Sequence, residues 1–473
     1  MQSQAMHFKA RAGAALKDAA LQRGLAKVDG FAARRASAIR ELDDLQGLRT
    51  EAAAIRDRAL ADLDVWIEAF ESEATRRGAS VLFAETGADV SRLVIEICRR
   101  HGLSKAIKSK SMLSEEAQLN EALEAAGVQP VETDLGEYIC QLSGEPPSHI
   151  IAPVIHKTRA DIAELFERVH RRPRLENAED MTREAREMLR THFLSADLGI
   201  SGGNFLIAET GSVALVTNEG NGRMVTTMPR VHVAITGIEK IVPTLEDLAT
   251  LMRLLPRSAT GQSISNYFTL ATGTRGGGDR DGPEHMYFIL VDNGRTNLVG
   301  GDMQEMLRCI RCGACMNHCP VYQSVGGHAY GWVYPGPMGA VLTPAYLGVE
   351  KALDLPQAST FCGACSSVCP VKIALPDLLR KLRERQVEGG MRPWYEMLAL
   401  RIWAWTAQRP RMYALATAIG VRYLRTLRNS DQLIGSMPFA AGWTRTRYMP
   451  APRSGKTFRA LYAARAKRRA LGF

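Results

Sequence analysis

Seven of the nine cysteines in this 473-residue chain fall between Cys309 and Cys369, and that crowding constrains the segment more than any other feature of the sequence. They are spaced Cys309-x2-Cys312-x2-Cys315-x3-Cys319-Pro320, then Cys362-x2-Cys365-x3-Cys369-Pro370. The first run is that of bacterial two-cluster ferredoxins: a tight loop offers three thiolates to three corners of an iron–sulfide cube, and the fourth cysteine, ahead of a proline, serves the other cube. A structural zinc site needs four soft ligands but has no use for a crossed fourth. The spacing therefore predicts two [4Fe–4S] clusters.

By the crossed rule, cluster one takes Cys309, Cys312, Cys315 and Cys369, and cluster two takes Cys319, Cys362 and Cys365. Counting back along the second run, the position of a fourth cysteine holds Ser359, so cluster two has only three cysteine ligands. Three readings stay open: an oxygen or nitrogen ligand from Ser359, His318 or His328; a ligand from a partner; or a three-iron cluster. Ser359 is singled out by position alone, and a serine there serves equally as a loop hydroxyl or helix cap. Residues 326–337, dense in glycine, proline and aromatics, read as an ordered loop that covers a cluster, walls a substrate or packs around the cofactor. Cys98 and Cys140, each among apolar neighbours, read as core residues.

The N-terminus has no apolar stretch or small-residue cleavage site, so the chain is expected in a reducing compartment, where clustered cysteines bind metal. No run approaches the roughly 18–20 apolar residues of a membrane-spanning helix. A cytoplasmic location is expected, at most peripheral at the inner face of the membrane. From residue 391 onward 16 Lys and Arg face two acids, a net +14, whereas the first 390 residues carry −4. Nucleic-acid binding by the body is not expected, and an acidic partner would meet the C-terminus.

A chain this long predicts two or three domains with appendages. Residues 1–77 repeat Leu and Ile at helical spacing, a helical arm. From residue 80 the pattern alternates: 80–85 extended, 89–101 helical, 105–109 extended, 115–126 helical behind Ser114, 128–133 extended. Such a βαβαβ run implies a parallel sheet. Residues 204–209 and 212–218 flank Thr210-Gly211 as a hairpin, 231–238 is a further strand, and Thr244 caps a helix through 255. The expected domains are thus a helical arm at 1–77, an α/β domain at 78–300, a two-cluster module at 301–390 and a basic helical region at 391–473.

Several strings resemble the lactate-utilisation protein B family: Lys108-Ser109-Lys110-Ser111-Met112, Glu132-Thr133-Asp134-Leu135-Gly136-Glu137-Tyr138, Pro147-Ser148-His149, Glu209-Thr210-Gly211-Ser212, Cys309-Ile310-Arg311-Cys312-Gly313-Ala314-Cys315 and Gly326-Gly327-His328. Their shared order extends the resemblance over nearly the whole chain. It implies a lactate-utilisation domain folded like sugar-phosphate isomerases and CoA transferases, then the cluster module. It also implies electron transfer within a multi-subunit system that oxidises L-lactate to pyruvate. The implied partners are a cysteine-rich, heterodisulfide-reductase-like protein, a second lactate-utilisation-domain protein and a respiratory acceptor. The family also shows seven cysteines here.

In look-alike CoA transferases a glutamate is the nucleophile, which makes Glu209 a candidate, with Lys108, His149 or His156 binding anions or moving protons. Against that stands the plainer reading in which Glu209 shapes a hairpin and the histidines satisfy buried backbone groups. Residues 273–278, glycine-rich, either cradle an anion or form a flexible loop. Three functions follow: an electron relay; an enzyme whose α/β domain oxidises the hydroxy acid; or a redox-sensing scaffold.

Overall fold

The computed structural model describes all residues except 1–2, 27, 266, 438–443, 445–447, 453 and 471–473. The chain forms two compact units, residues 1–386 and 387–473.

The first unit is built on a six-stranded parallel sheet. In chain order its strands and those of a second sheet are β1 (Ala79–Ala84), β2 (Lys105–Lys108), β3 (Gln129–Glu132), β4 (Leu198–Ser201), β5 (Phe205–Ile207), β6 (Ser212–Thr217), β7 (Val231–Gly237), β8 (Ile241–Val242), β9 (Tyr267–Ala271) and β10 (His285–Val291). The main sheet runs β1-β10-β7-β4-β2-β3, every neighbouring pair parallel. Its central strand β7 is buried along its whole length, as expected where helices cover both faces of a parallel sheet. The second sheet, β8-β5-β6-β9, contains the expected hairpin, with Ile207 opposite Ser212 across the Thr210-Gly211 turn.

Local chemistry accounts for the helix starts. Thr86 and Asp89 form a reciprocal capping box at Gly87–His101, and the Thr244 hydroxyl accepts from Asp247 N–H to open Leu245–Ala259. One stretch departs from the expected single helix over 115–126. It is two helices, Met112–Glu116 capped by Ser111 and Leu119–Ala125, separated where Gln118 takes a left-handed φ of 54°. On either side of the break Glu116 pairs with Arg295 and Asn120 hydrogen-bonds Glu132.

The N-terminal helices pack into this unit. Leu45–Ala61 buries Leu48, Ala52 and Ile55 in a core shared with Leu251 and Leu255 of the α/β domain and Met306 and Leu307 beside the cysteines. Leu63–Arg76 lies against the sheet, where Phe70 meets Phe288 edge-on at 5.0 Å. The 326–337 stretch is mostly packing: Tyr330, Trp332 and Tyr334 are buried.

In the second unit, helices Trp394–Ala407 and Pro410–Thr426 bury none of their residues. Trp394, Trp403 and Ile402 are 76%, 64% and 58% exposed. Among the described residues no helix is long and apolar enough to cross a membrane.

Candidate iron–sulfur centre and adjoining cavity

The two cysteine runs fold into loops of the same local shape. In the first, Arg311 (φ 57°) and Gly313 (φ 74°) flank Cys312; in the second, Phe361 (φ 54°) and Gly363 (φ 79°) flank Cys362. A left-handed residue on either side turns the backbone sharply around the sulfur. Glycine meets that need without steric cost, whereas Arg311 and Phe361 are held there against their preference. Each loop then enters a short helix, Ala314–Asn317 and Ala364–Val368. Backbone N–H groups are aimed at the sulfurs: Ala314 at Cys312, Ala364 at Cys362, Val321 and Tyr322 at Cys319, and Val371 and Ile373 at Cys369.

Cys309, Cys312, Cys315 and Cys369, the four sulfurs expected for cluster one, border a single cavity walled otherwise by Arg311 and by apolar side chains such as Ile150, Met306 and Met338. Cys319 stands within electrostatic reach of Cys362 and Cys365. Burial pushes the Cys312 thiol up to about 12 and those of Cys365 and Cys369 to about 11. Thiolates so placed need positive charge beside them, which suits iron ligation. Cys362 is the exposed member of the group.

Cations gather around the cysteines expected to hold cluster one. Lys240 Nζ donates to the Cys309 carbonyl at 2.9 Å, Arg49 Nε to the Cys369 carbonyl at 2.9 Å, and Arg35 to the Val368 carbonyl at 2.8 Å. Buried Arg56 donates to the Leu307 carbonyl at 3.2 Å. Such charges, with the N–H···S contacts, favour the reduced form of a cluster that carries net negative charge. Sequence reasoning missed Arg35, Arg49 and Arg56, which look like surface charges on an amphipathic arm. One signal was available: Arg49 and Arg56 stand seven residues apart, on the helical face that carries Ala52, Ile55 and Ala59.

The candidate fourth ligands of cluster two differ in their engagements. His328 Nε2 meets the Pro146 carbonyl at 2.8 Å and its ring lies against His156. His318 Nδ1 donates to the Ala314 carbonyl. Ser359 Oγ accepts from Phe361 N–H at 3.1 Å, the loop role. If Ser359 also ligates, Ser359→Cys should keep a four-iron cluster with an altered potential and Ser359→Ala should give a labile or three-iron species. Identical EPR spectra and potentials in both variants would remove it from the ligand set.

The α/β candidates do not converge. Glu209 is exposed in the β5–β6 turn, where its carboxylate accepts from Leu245 N–H at 2.9 Å and caps that helix. Lys108 is buried in an ion pair with Glu132 at 2.6 Å. His149 accepts from the Ile151 and Ala152 amides at Nδ1, which fixes Nε2–H as donor to Asn317 at 2.9 Å. Burial holds His149 down at about 4, so it stays neutral and ties the α/β domain to the cysteine loop. His156 bridges Ser148 and Glu145. The glycine-rich 273–278 stretch is tied by its own backbone, Thr274 N–H to the Arg77 carbonyl at 3.2 Å, Arg275 N–H to the Pro283 carbonyl at 2.9 Å and Gly276 N–H to Asp279 at 2.7 Å.

What the domains do share is a buried charge network. Arg295 holds Glu116 at 3.0 Å and Glu239 at 2.8 Å, Tyr334 OH donates to Glu116, and Arg311 stands 3.5 Å from Glu239 and 4.6 Å from the Tyr334 ring centroid. Burial alone would raise Glu239, but Arg295, Lys240 and Arg311 bring it down to about 2. Burial and Arg311 lower Lys240 to about 7. The network borders a cavity of about 480 Å³ that reaches from the strand ends of the α/β domain to Ile310 and Arg311 of the cysteine loop.

An α/β parallel-sheet domain joined through one core to a paired cysteine-loop module defines the class: an α/β protein with an iron–sulfur module. Residues 67–291 match the LUD domain family and residues 305–373 the 4Fe-4S dicluster domain family. The chain is 43% identical over 427 residues to lactate utilization protein B of Lysinibacillus sphaericus (strain C3-41), covering 90% of each. It is 42% identical over 463 residues to lactate utilization protein B of Bacillus pumilus (strain SAFR-032), covering 97% of this chain and 98% of the other. It is also 40% identical over 458 residues to the uncharacterized electron transport protein YkgF of Escherichia coli (strain K12), covering 96% of each. The chain belongs to the lactate utilization protein B family.

Proposed function

We propose that this chain is the iron–sulfur electron-transfer subunit of a multi-subunit system that oxidises L-lactate to pyruvate, with Cys309, Cys312, Cys315 and Cys369 holding one [4Fe–4S] cluster and Cys319, Cys362 and Cys365 three corners of a second. The observation that carries it is the cavity bordered by four cysteines that come from both runs. The names of the relatives supply the metabolic setting. Oxidation of L-lactate to pyruvate releases two electrons and two protons, and clusters of this type, when bound, supply one-electron relay. The chain's own residues set the terms: amides and arginines favour reduction at the buried site, and exposed Cys362 brings the other site toward solvent. We assign the partners to the family's implied subunits and the location to the cytoplasm, with the basic second unit as the docking element.

The test is anaerobic purification with iron, sulfide and EPR analysis, alone and with the neighbouring subunits. Dithionite should reduce both clusters in the isolated chain, whereas L-lactate should reduce them only with the partner subunits present. Clusters that no partner-plus-lactate mixture reduces would overturn the relay.

A further inference from the structure

The two cysteine loops share a backbone shape but not the side chain ahead of Cys312 and Cys362. Arg311 stands at φ 57° in the first loop and Phe361 at φ 54° in the second. Since either side chain is accommodated, the turn itself does not call for an arginine. Glycine or asparagine would take that backbone with less strain. A side chain held against its backbone preference points to a role for the side chain, to be read from where it goes. Phe361 is exposed, whereas the Arg311 side chain is only 13% exposed.

The guanidinium of Arg311 closes a ring of side chains. Its Nη2 stands 3.5 Å from one oxygen of Glu239, whose other oxygen meets Arg295 at 2.8 Å. Arg295 holds Glu116 at 3.0 Å, Tyr334 OH donates to Glu116, and the Tyr334 ring lies against Arg311 with its centroid 4.6 Å away. Glu116, Glu239 and Arg295 belong to the α/β domain and Tyr334 to the 326–337 stretch, so Arg311 is fixed from outside its own loop. Arg295 has the closer claim on both carboxylates. Among the described residues Arg311 is left with that one carboxylate at 3.5 Å and a hydrogen bond to the Met338 sulfur at 3.2 Å. Sulfur is a weak acceptor and a guanidinium carries five N–H donors, so the positive charge is held in place without being matched.

What it borders supplies the missing partner. Among the described residues that line the cavity of the four cysteines expected for cluster one, Arg311 is the only charged one apart from those cysteines. Burial works against its charge, and the Cys309 sulfur, ahead of Tyr334, Tyr346 and Glu239, more than restores it, holding the guanidinium above its ordinary value. Lys240, Arg49, Arg35 and Arg56 address backbone carbonyls instead. We propose that Arg311 sets the reduction potential of cluster one, with Glu239 and Tyr334 as the positioning residues that hold its guanidinium in the cavity wall. The inference rests on the reading that these four cysteines hold a [4Fe–4S] cluster. One electron taken up there adds one negative charge, and a fixed cation in an otherwise apolar wall stabilises that charge more than a cation shared with solvent. Phe361 itself offers the second loop no such charge.

The test is an EPR-monitored redox titration of the anaerobically purified full chain, with iron and sulfide measured on each sample. The signal of cluster one is the one that the Cys312→Ala protein lacks. Arg311→Gln and Arg311→Gly should keep their iron, glycine because it takes the left-handed backbone freely. Both should lower that cluster's midpoint, so that the ratio of reduced to oxidised cluster at a fixed potential falls at least about tenfold, or about 59 mV for one electron. Arg311→Lys, which keeps a charge but not the fork, should lie between them and wild type, and the second signal should not move. Tyr334→Leu changes no charge and lies outside the loop. It should shift the midpoint the same way, whereas Tyr334→Phe, which keeps the ring against the guanidinium, should stay closer to wild type. Wild-type midpoints in iron-replete Arg311→Gln and Arg311→Gly would overturn the assignment, as would an unshifted Tyr334→Leu should the Arg311 variants lose their iron. A wild-type chain that binds no iron would fail the cluster reading itself, and the iron assay tells that case apart before any potential is measured.

Discussion

Replacing Cys312 with alanine should remove one cluster and leave much of the other, lowering bound iron from about eight to about four per chain, the content of two [4Fe–4S] cubanes and of one. Cys312 is buried, receives the Ala314 amide at its sulfur and borders the cavity shared with Cys309, Cys315 and Cys369. Alanine leaves one corner without a thiolate in an enclosure of apolar side chains and Arg311 that offers no substitute. Cys362→Ala should do the reverse, and with three cysteines at that site to begin with the loss should be complete. Iron and acid-labile sulfide assays, with EPR of the reduced protein, separate the two variants. Loss of one bound zinc and no iron from either would end the cluster assignment.

The parts that sequence alone made legible are those whose causes are local. Cysteine spacing within a run is a local statement, so the stretch could be read as 4Fe–4S-binding without knowing the fold, in agreement with the dicluster-domain match over residues 305–373. The cap at Thr244 binds an amide three residues on, so that helix start was legible too. Strand order was not, because β10 inserts between β1 and β7 after some 200 intervening residues, and nothing near β1 marks its partner. The cavity escaped for the same reason: its walls come from four strand ends and a cysteine loop. Lys108 is a candidate anion-binding group by sequence, yet in the fold it is consumed by Glu132. Glu209 was reached by analogy with another family's nucleophile, and here it caps a helix. The arginines of the N-terminal arm were hidden because amphipathic spacing does not tell a charge that faces water from one that faces backbone carbonyls.

Truncation after Glu388 should keep both clusters, abolish association with the partner subunits proposed above and stop lactate-dependent growth. The residues bordering the cluster-one cavity all lie before Glu388, and the 1–386 unit contains all seven clustered cysteines. The second unit has a different surface. Its two main helices bury nothing, expose Trp394, Trp403, Leu415 and Ile419, and stack Arg409 on Trp405 at 4.3 Å. Apolar exposure on that scale marks an interaction surface, and aromatic residues with arginines are the types enriched at protein interfaces. The charge of +14 from residue 391 onward favours an acidic partner face. Hot-spot side chains contribute upward of about 2 kcal/mol each, roughly thirtyfold in Kd apiece, so removing several should put association beyond detection in a pull-down at micromolar concentration. Anionic lipid is the rival occupant, since cationic helices with exposed aromatics also bind membrane surfaces. Co-purification of the subunits and sedimentation with anionic vesicles, measured on the same truncated chain, distinguish the two. Lost co-purification supports docking, retained assembly with lost vesicle binding overturns it in favour of lipid, and loss of iron on truncation would instead show that the second unit protects the clusters.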